Sequence, residues 1–260
     1  MERGWPAGVG GLVSGDGDSG RRLAELAANL AAVRARIEAA CLAAGRDTST
    51  VRLIAVTKTF PAADAALLLD LDILDLGENR DVEAATKVKD VAELRPDITP
   101  RWSMVGRLQR NKARSVTEWA AEVQSVDSGR LADALQHATT TSLDRGNRAT
   151  SLDILVQASI DGDPDRGGCP LDDLPALSDH VASLGALRLR GVMAVAPLGM
   201  PPEQAFERLA AAADRLRADH PTATTVSSGM SGDIEAAINY GSTCVRVGTA
   251  LLGGRRLASP

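Results

Sequence analysis

Short apolar segments alternate with amphipathic helical patterns along almost the whole of this sequence. Eight such segments predict buried strands, and each of them except the last is followed by a helical pattern. Strict alternation is typical of a parallel sheet, and eight repeats favour an α/β fold with a single (β/α)8 TIM-type barrel over a doubly wound open sheet. The predicted strands are Val51–Lys58, Ile73–Leu76, Arg101–Val105, Glu122–Val126, Leu152–Ala158, Leu187–Val195, Thr222–Val226 and Thr243–Val247.

The two ends of the chain differ from this repeat. Residues 1–20 are rich in Gly, Ser and Asp without periodicity, which predicts a disordered tail. From Arg21 apolar residues recur every three or four positions as far as Cys41, and Gly45 closes an extra N-terminal helix. Because little sequence follows the eighth strand, we expect this helix to cover the side that a short last helix leaves open. Residues 21–260 are predicted to form one barrel domain.

Composition excludes several classes of function. A formal net charge of -5 and an aromatic content of 2% disfavour nucleic-acid binding, which uses basic faces and stacking rings. No apolar run approaches the roughly 18 residues of a membrane span, so no membrane contact is expected. The three cysteines lack metal-ligand spacing and the three histidines fall in or beside helical patterns, so neither a metal site nor a catalytic triad is predicted. We expect reduced thiols and a cytoplasmic protein.

Lys58 lies at the predicted carboxyl end of the first strand. In barrels the carboxyl ends of all strands meet at one rim, where chemistry is placed. A partly desolvated amine there can be neutral and attack an aldehyde. Taken alone, a solvated lysine after a strand is the more ordinary interpretation. The other predicted strand ends supply the rim segments Glu78-Asn79, Gly106–Gln109, the loop near Arg166, Met193, Ser227–Asp233 and Arg246–Thr249.

Two loops rich in small polar residues follow the seventh and eighth strands. Ser227-Ser228-Gly229 is predicted to open a helix, and Gly248-Thr249 supplies backbone N–H groups and a hydroxyl. Barrels commonly bind phosphate at these two positions, so the pair predicts a phosphate site. Together with Lys58, this site favours a phosphorylated aldehyde: either pyridoxal phosphate, or a sugar phosphate in an aldolase-type reaction.

Arg246 helps to choose between these two ligands. It lies two residues before Gly248 in a predicted strand, so both can face the rim pocket. Arginine keeps its proton, and against the nitrogen of a pyridine ring it would leave that nitrogen unprotonated and weaken the ring as an electron sink. On spacing alone, a structural ion pair explains Arg246 equally well.

Six segments spread over residues 21–254 resemble one known family. They are Leu53–Thr59, Gly77–Asn79, Trp102–Lys112, Arg190–Ala194, Ser228–Asp233 and Val245–Ala250. The resemblance is to the YggS/PROSC family of pyridoxal-phosphate-binding proteins, related in fold to the N-terminal barrel of alanine racemase. It implies that pyridoxal 5'-phosphate is the cofactor, held as a Schiff base on Lys58. It implies further contacts from Ser228, Gly229, Gly248 and Thr249 to the phosphate, from Arg246 to the pyridine nitrogen, and from Asn79 and Met193 to the ring.

The same resemblance implies a non-catalytic function, in which the protein helps to balance the free cofactor and related amino-acid pools. Pyridoxal-phosphate-dependent apo-enzymes are the expected protein partners, and we expect a monomer. Two-base racemases of the related fold take a tyrosine base from a second domain, which we do not expect here. The single tyrosine, Tyr240, is predicted at the end of the barrel opposite the rim. A single-domain amino-acid racemase, a Schiff-base aldolase and a plain interaction module stay open as alternatives.

Three positions depart from the family pattern. Ser103 stands where the family usually has His, and Arg80-Asp81 replaces an aromatic start after Gly-Glu-Asn. Arg166-Gly167-Gly168 replaces the common Lys-Ser-Gly. We expect these changes to lie at the rim or in loops and to affect ligand exchange rather than the linkage at Lys58.

Overall fold

The structure is a computed structural model, and it describes residues 17–163 and 167–254. Eight parallel strands form a closed barrel with helices around it, which confirms the predicted TIM-type (β/α)8 fold. Together with one short extra strand, β6, the strands are β1 (Arg52–Val56), β2 (Asp75–Glu78), β3 (Arg101–Met104), β4 (Glu122–Val126), β5 (Leu152–Ser159), β6 (Cys169–Pro170), β7 (Leu187–Met193), β8 (Thr225–Ser227) and β9 (Cys244–Val247). The helices are α1 (Gly17–Ala43), α2 (Ala62–Leu69), α3 (Asp81–Leu94), α4 (Ala113–Trp119), α5 (Gly129–Asp144), α6 (Leu174–Ser183), α7 (Pro202–Asp219), α8 (Ile234–Asn239) and α9 (Thr249–Leu252).

Two strand pairings close the barrel. β9 pairs with β1, which places Arg246 beside Ile54, and β4 pairs with β5, which places Glu122 beside Asp153. An open sheet has no such closure, so the doubly wound alternative is wrong. The two-residue strand β6 pairs with β5 and stands outside the barrel. It was not predicted, because two residues are too few to show a periodic pattern.

The bounds of β2 are displaced by two residues from their prediction. Ile73 and Leu74 were assigned to a strand, but the strand begins at Asp75 and continues through Gly77 and Glu78. Ile73 is buried in the turn before β2, so its burial does not depend on strand pairing. A Cβ on Gly77 would lie 2.9 Å from the side chain of Ile54, so the crowded interior of the barrel favours glycine here. The bounds of β4 agree with their prediction.

Helix α1 covers the side of the barrel next to the short helix α9. It begins at Gly17, so the predicted disordered tail 1–20 is wrong for residues 17–20, and residues 1–16 lie outside the described residues. The apolar face of α1 is buried with residues of α2, α8 and α9. Asn29 donates to the carbonyl of Leu251 at 3.0 Å, and Arg22 donates to that of Leu252 at 2.9 Å. These contacts confirm that the N-terminal helix covers the gap left by a short last helix.

The amino-terminal end of the barrel is closed by charged side chains. Glu122, at the start of β4, accepts hydrogen bonds from Arg52 at 2.8 Å and Arg101 at 2.9 Å. Asp153 accepts from Arg101 and Arg188, each at 2.8 Å. Both carboxylates are buried, so each is satisfied by guanidinium groups rather than by water. This end of the barrel is therefore engaged in internal ion pairs. The carboxyl end is the candidate site.

Within residues 17–163 and 167–254, no helix combines the length and the apolar character needed to span a membrane.

Candidate functional site

Lys58 lies in an exposed turn that begins directly after β1. The residues on either side of it are held by hydrogen bonds. The buried Thr57 donates its N–H to the carbonyl of Gly77 at 2.9 Å. Thr59 has a φ of 66° and donates its N–H to Glu83 Oε1 at 2.6 Å. The turn is thus fixed on both sides, while the Lys58 amine stays exposed at the rim.

A buried cluster of charged groups lies beneath this turn. Lys87 Nζ, from α3, donates to Glu78 Oε1 at 2.6 Å and to the carbonyl of Thr57 at 2.8 Å. The hydroxyl of Thr57 donates to the same Glu78 oxygen at 2.6 Å, and Glu83 lies 3.4 Å from Lys87 Nζ. Burial raises the pKa of Glu78 above its ordinary value, against the effect of these donors. Lys87 is not among the predicted site residues, although its i,i+4 spacing from Glu83 is a usable signal.

The loop after β8 follows the carboxyl end of the strand but does not open a helix directly. Helix α8 begins only at Ile234, so the prediction that Ser227-Ser228-Gly229 opens a helix is wrong. The intervening residues form a turn, in which Met230 N donates to Asp233 Oδ1 at 2.5 Å. Gly229 has a φ of 92°, and a Cβ there would lie 2.7 Å from Ala237. The backbone at this point therefore requires glycine.

The loops after β8 and β9 meet, as the phosphate prediction requires. Ser231 accepts hydrogen bonds at 3.2 Å from both the Thr249 hydroxyl and the Ala250 N–H. Gly229 accepts the backbone N–H of Arg246 at 2.9 Å. The buried Ser228 donates its own N–H to Cys244 at 3.0 Å, so that N–H is already used. Gly248, partly exposed, and Thr249, exposed, follow β9 at the same rim.

Arg246 is 5% exposed and directs its guanidinium to the rim ends of the neighbouring strands. One terminal nitrogen donates to Ser227 Oγ at 2.6 Å and the other to the carbonyl of Ala194 at 2.9 Å. Both acceptors are neutral. Burial lowers the pKa of Arg246, with a smaller opposing effect from Asp233. No carboxylate pairs with this guanidinium in the part of the chain that the structure describes, so the alternative of a structural ion pair is wrong.

Asn79 and Met193 lie at two other strand ends of the same rim. Asn79 follows β2 directly and is partly exposed. Gly106 packs on its backbone, and a Cβ there would lie 2.3 Å from the Asn79 carbonyl. Met193 is the last residue of β7, is buried, and pairs with Ser227 in β8. The predicted site residues thus all lie at the carboxyl ends of strands.

The remaining predicted positions lie elsewhere. Ser103 is inside the barrel and donates to Glu122 at 3.2 Å, so its placement at the rim or in a loop is wrong. Arg80 is exposed just before α3, and Arg166 lies outside the described residues. Tyr240 ends α8, at the end of the barrel opposite the rim, as predicted.

None of the three cysteines is exposed at the surface. Cys41, Cys169 and Cys244 are buried and unpaired. Burial raises the pKa of the Cys169 thiol to about 11, and burial also raises the pKa of Cys41. Within residues 17–163 and 167–254, no three potential His, Cys, Asp or Glu ligands are grouped so that they could hold a metal ion.

Residues 22–256 match the family model described as alanine racemase, N-terminal domain, and this is the class of protein that the barrel and its rim define. The pyridoxal phosphate homeostasis protein of Mycobacterium tuberculosis (strain ATCC 25618 / H37Rv) is 44% identical over 249 residues, covering 92% of this chain and 96% of that protein. The Escherichia coli (strain K12) protein of the same name is 37% identical over 235 residues, covering 89% and 97%. The chain belongs to the family of pyridoxal phosphate homeostasis proteins.

A solved structure shows the same relationship. PipY of Synechococcus elongatus PCC7942, described with PLP bound, superposes with a TM-score of 0.74 at 32% sequence identity. The superposition covers 88% of this chain and 100% of the PipY chain. The two chains therefore share both fold and extent.

Proposed function

We propose that this chain binds pyridoxal 5'-phosphate at the carboxyl rim, with the cofactor held as a Schiff base on Lys58. In this proposal it serves intracellular homeostasis of the cofactor and amino-acid balance, without catalysis of its own. The observation that carries the proposal is that the exposed Lys58 follows β1 and the buried Arg246 lies near the end of β9, the strand that pairs directly with β1. The relatives named for pyridoxal phosphate homeostasis and the PLP-bound PipY support it.

The donor set of the rim fits this cofactor. Arg246 is a buried cation whose two hydrogen bonds go to neutral oxygens. Such a cation is suited to an uncharged acceptor, such as a pyridine nitrogen, because arginine always donates and does not lose its proton. The two joined loops after β8 and β9 lie where barrels bind phosphate. An amine, a fixed donor and a phosphate site are the three contacts that this molecule requires.

Each rim residue then has a defined task. When bound, the cofactor supplies an aldehyde that amines can trap. The nitrogen of Lys58 forms a C=N bond with the aldehyde carbon, and the aldehyde oxygen leaves as water. Ser228, Gly229, Gly248 and Thr249 hold the phosphate through hydroxyl and backbone groups. Asn79 and Met193 flank the ring, and Arg246 donates a hydrogen bond to the ring nitrogen.

Two features of the rim support the proposal that the protein has no catalysis of its own. A donor that keeps the ring nitrogen unprotonated weakens the ring as an electron sink. Tyr240 lies at the other end of the barrel and provides no second base. The exposed turn leaves Lys58 accessible to external amines, which suits transfer of the cofactor to apo-enzymes. The proposal includes a monomeric, cytoplasmic protein.

The linkage is tested by comparing Lys58→Ala with Lys89→Ala, a substitution of another exposed lysine. The free energy of unfolding of both variants is expected to lie within about 0.5 kcal/mol of the wild-type value, because neither side chain is buried. The wild type and Lys89→Ala should be yellow after incubation with the cofactor and carry a phosphopyridoxyl mass on the Lys58 peptide after borohydride reduction. Lys58→Ala should show neither signal.

Two results would contradict the proposal. A colourless wild type that gains no mass would reject cofactor binding at Lys58. Exchange of the Cα hydrogen of amino acids in heavy water, at a rate above that of free cofactor and lost in Lys58→Ala, would replace the homeostasis function with that of a racemase.

A further inference from the structure

A chain of buried hydrogen bonds runs through the barrel from Arg246 to the opposite end. Arg246 donates to Ser227 Oγ at 2.6 Å, and Ser227 Oγ donates to Gln124 Oε1 at 2.7 Å. Gln124 Nε2 donates to Glu122 Oε1 at 2.5 Å. Ser227 and Gln124 have no exposed surface, and Glu122 is 2% exposed. The chain therefore crosses the interior without contact with water.

The direction of each hydrogen bond in this chain is determined by its two ends. Arg246 can only donate, and an ionised Glu122 can only accept. Ser227 must then pass its own hydrogen to Gln124, and the Gln124 amide must point its NH₂ at Glu122. Every donor points from the cation towards the carboxylate, so the bonds polarise one another in the same sense.

Glu122 is kept ionised mainly by arginines that do not belong to this chain of hydrogen bonds. Burial by itself raises the pKa of this carboxyl, but Arg52, the hydrogen bond from Gln124 and Arg101 together outweigh burial, and the pKa is lowered overall. Arg52 donates to both Glu122 oxygens, at 2.8 and 3.0 Å. The carboxylate is thus a fixed negative end for a chain whose positive end is the rim guanidinium.

We propose that Gln124 and Ser227 are positioning residues that, anchored on Glu122, orient the Arg246 guanidinium towards the pyridine nitrogen of the bound cofactor. This inference rests on the proposed function, since it assigns Arg246 to that nitrogen. The physical reason is geometric. Ser227 and the Ala194 carbonyl each hold one terminal nitrogen of Arg246, so both ends of its planar fork are held. Gln124 accepts the Ser227 hydrogen and so leaves the hydroxyl oxygen turned towards Arg246.

The test compares affinity for pyridoxal phosphate with affinity for 1-deazapyridoxal phosphate, in which C–H replaces the ring nitrogen. The ratio of the two dissociation constants isolates the contact to the nitrogen from the Lys58 linkage and the phosphate contacts. Wild type should prefer the natural cofactor about tenfold, as expected for one buried hydrogen bond from a charged donor. Ser227→Ala should reduce this preference at least fivefold, while borohydride still places the phosphopyridoxyl mass on Lys58.

Ser125→Ala is the matched control. Ser125 is the next residue to Gln124 in β4, is also buried, and its hydroxyl has no hydrogen-bond partner among the residues that the structure describes. Because neighbouring strand residues face opposite sides, its loss should leave the affinity ratio unchanged. Gln124→Leu serves as a second variant that breaks the chain, and it decides the question if Ser227→Ala does not fold.

The possible results separate the two proposals. A wild type that binds neither ligand overturns the proposed function. A wild type that binds both, with a ratio that neither Ser227→Ala nor Gln124→Leu changes, overturns the positioning chain alone. An equal fall in Ser125→Ala also overturns it, because the effect would then come from general loosening of the barrel.

Discussion

At the scale of single residues, the rim lysine depends on a second, buried lysine. Lys87 contacts the carbonyl of Thr57 and the carboxylate of Glu78, and Glu83 bonds the N–H of Thr59. Both neighbours of Lys58 in sequence are therefore fixed by groups of one cluster. The positive φ of Thr59 costs free energy in a β-branched residue, and the bond from its N–H to Glu83 offsets part of that cost.

Replacing Lys87 with Met should remove the only cation that contacts Glu78 within the described residues. A buried carboxylate left without its partner costs about 3–5 kcal/mol. We expect that loss in the free energy of unfolding at neutral pH, measured by urea denaturation, and a smaller loss in acid, where Glu78 is protonated. Lys89→Met, on the exposed face of the same helix, should change stability by less than about 0.5 kcal/mol. Equal losses in the two variants would contradict the role of the buried cluster.

At the scale of elements, α1 acts as part of the barrel wall. The last barrel strand is followed by a helix of only four residues, too short to cover its neighbours. The leucine and valine side chains on one face of α1 fill that position. Arg36, on the same helix, bonds Glu235 at 2.6 Å and the carbonyl of Ser231 at 2.9 Å. The helix thus also contacts the rim loop that joins β8 to α8.

Two leucines of α1 allow a direct test of this packing. Leu26 has no exposed surface, whereas Leu42 is 80% exposed. Leu26→Ala should lower the free energy of unfolding by about 2–5 kcal/mol, because it leaves a cavity between α1 and the barrel. Leu42→Ala makes the same chemical change on the same helix and should cost less than about 0.5 kcal/mol. Thermal and urea unfolding measure both. A Leu26→Ala variant as stable as Leu42→Ala would show that α1 is not part of the core.

At the scale of the whole molecule, the amino-terminal end of the barrel stabilises the fold, and the carboxyl end carries the proposed binding site. The amino-terminal end is engaged in ion pairs that join β1, β3, β4, β5 and β7. The carboxyl end carries an exposed amine and a buried guanidinium bonded to neutral oxygens. The ion pairs at the amino-terminal end stabilise the closed barrel. The amine and the guanidinium at the carboxyl end have no counter-ion among the described residues, so they are available to bind a ligand.

Glu122 should make the stability of the whole barrel depend on pH. Its pKa in the folded protein is lowered by Arg52 and Arg101 in spite of burial, so the unfolded chain binds the proton more readily. The stabilisation is therefore present above the unfolded value of 4.5 and is lost as pH falls through the folded value. Glu122→Gln should be about 3–5 kcal/mol less stable at pH 7, with a difference that shrinks below pH 4.5.

The control for this pH dependence is Glu235→Gln. Glu235 also pairs with an arginine, Arg36, but its side chain is 53% exposed. Its removal should cost less than about 1 kcal/mol at any pH, because solvent screens exposed pairs. Urea unfolding of the wild type and both variants between pH 3 and pH 7 measures the effect. A difference between wild type and Glu122→Gln that stays constant over this range would contradict the assignment.

The predicted site and the predicted fold differ in how far local sequence specifies them. The positions of Lys58, Asn79 and Met193 at the carboxyl ends of strands could be predicted because each stands at the end of an apolar segment, which is a local signal. Lys87 was missed because its partner Glu78 is contacted only when α3 packs on β2. The prediction that Ser227-Ser228-Gly229 opens a helix was wrong because a turn closed by Met230 and Asp233 separates these residues from the start of α8 at Ile234.

The architecture of this protein and the positions of its rim residues could be predicted from the sequence alone. Strands buried on both faces need continuous apolar runs, so their number and order can be read directly, and the two-residue spacing of Arg246 and Gly248 follows from strand geometry. Which polar groups are buried, and which residues they contact, depends on the tertiary structure. Ser227 and Gln124 lie 103 positions apart, and closure of the barrel alone brings them to 2.7 Å. Burial then makes that contact matter, because a buried polar group must find its partner inside the protein.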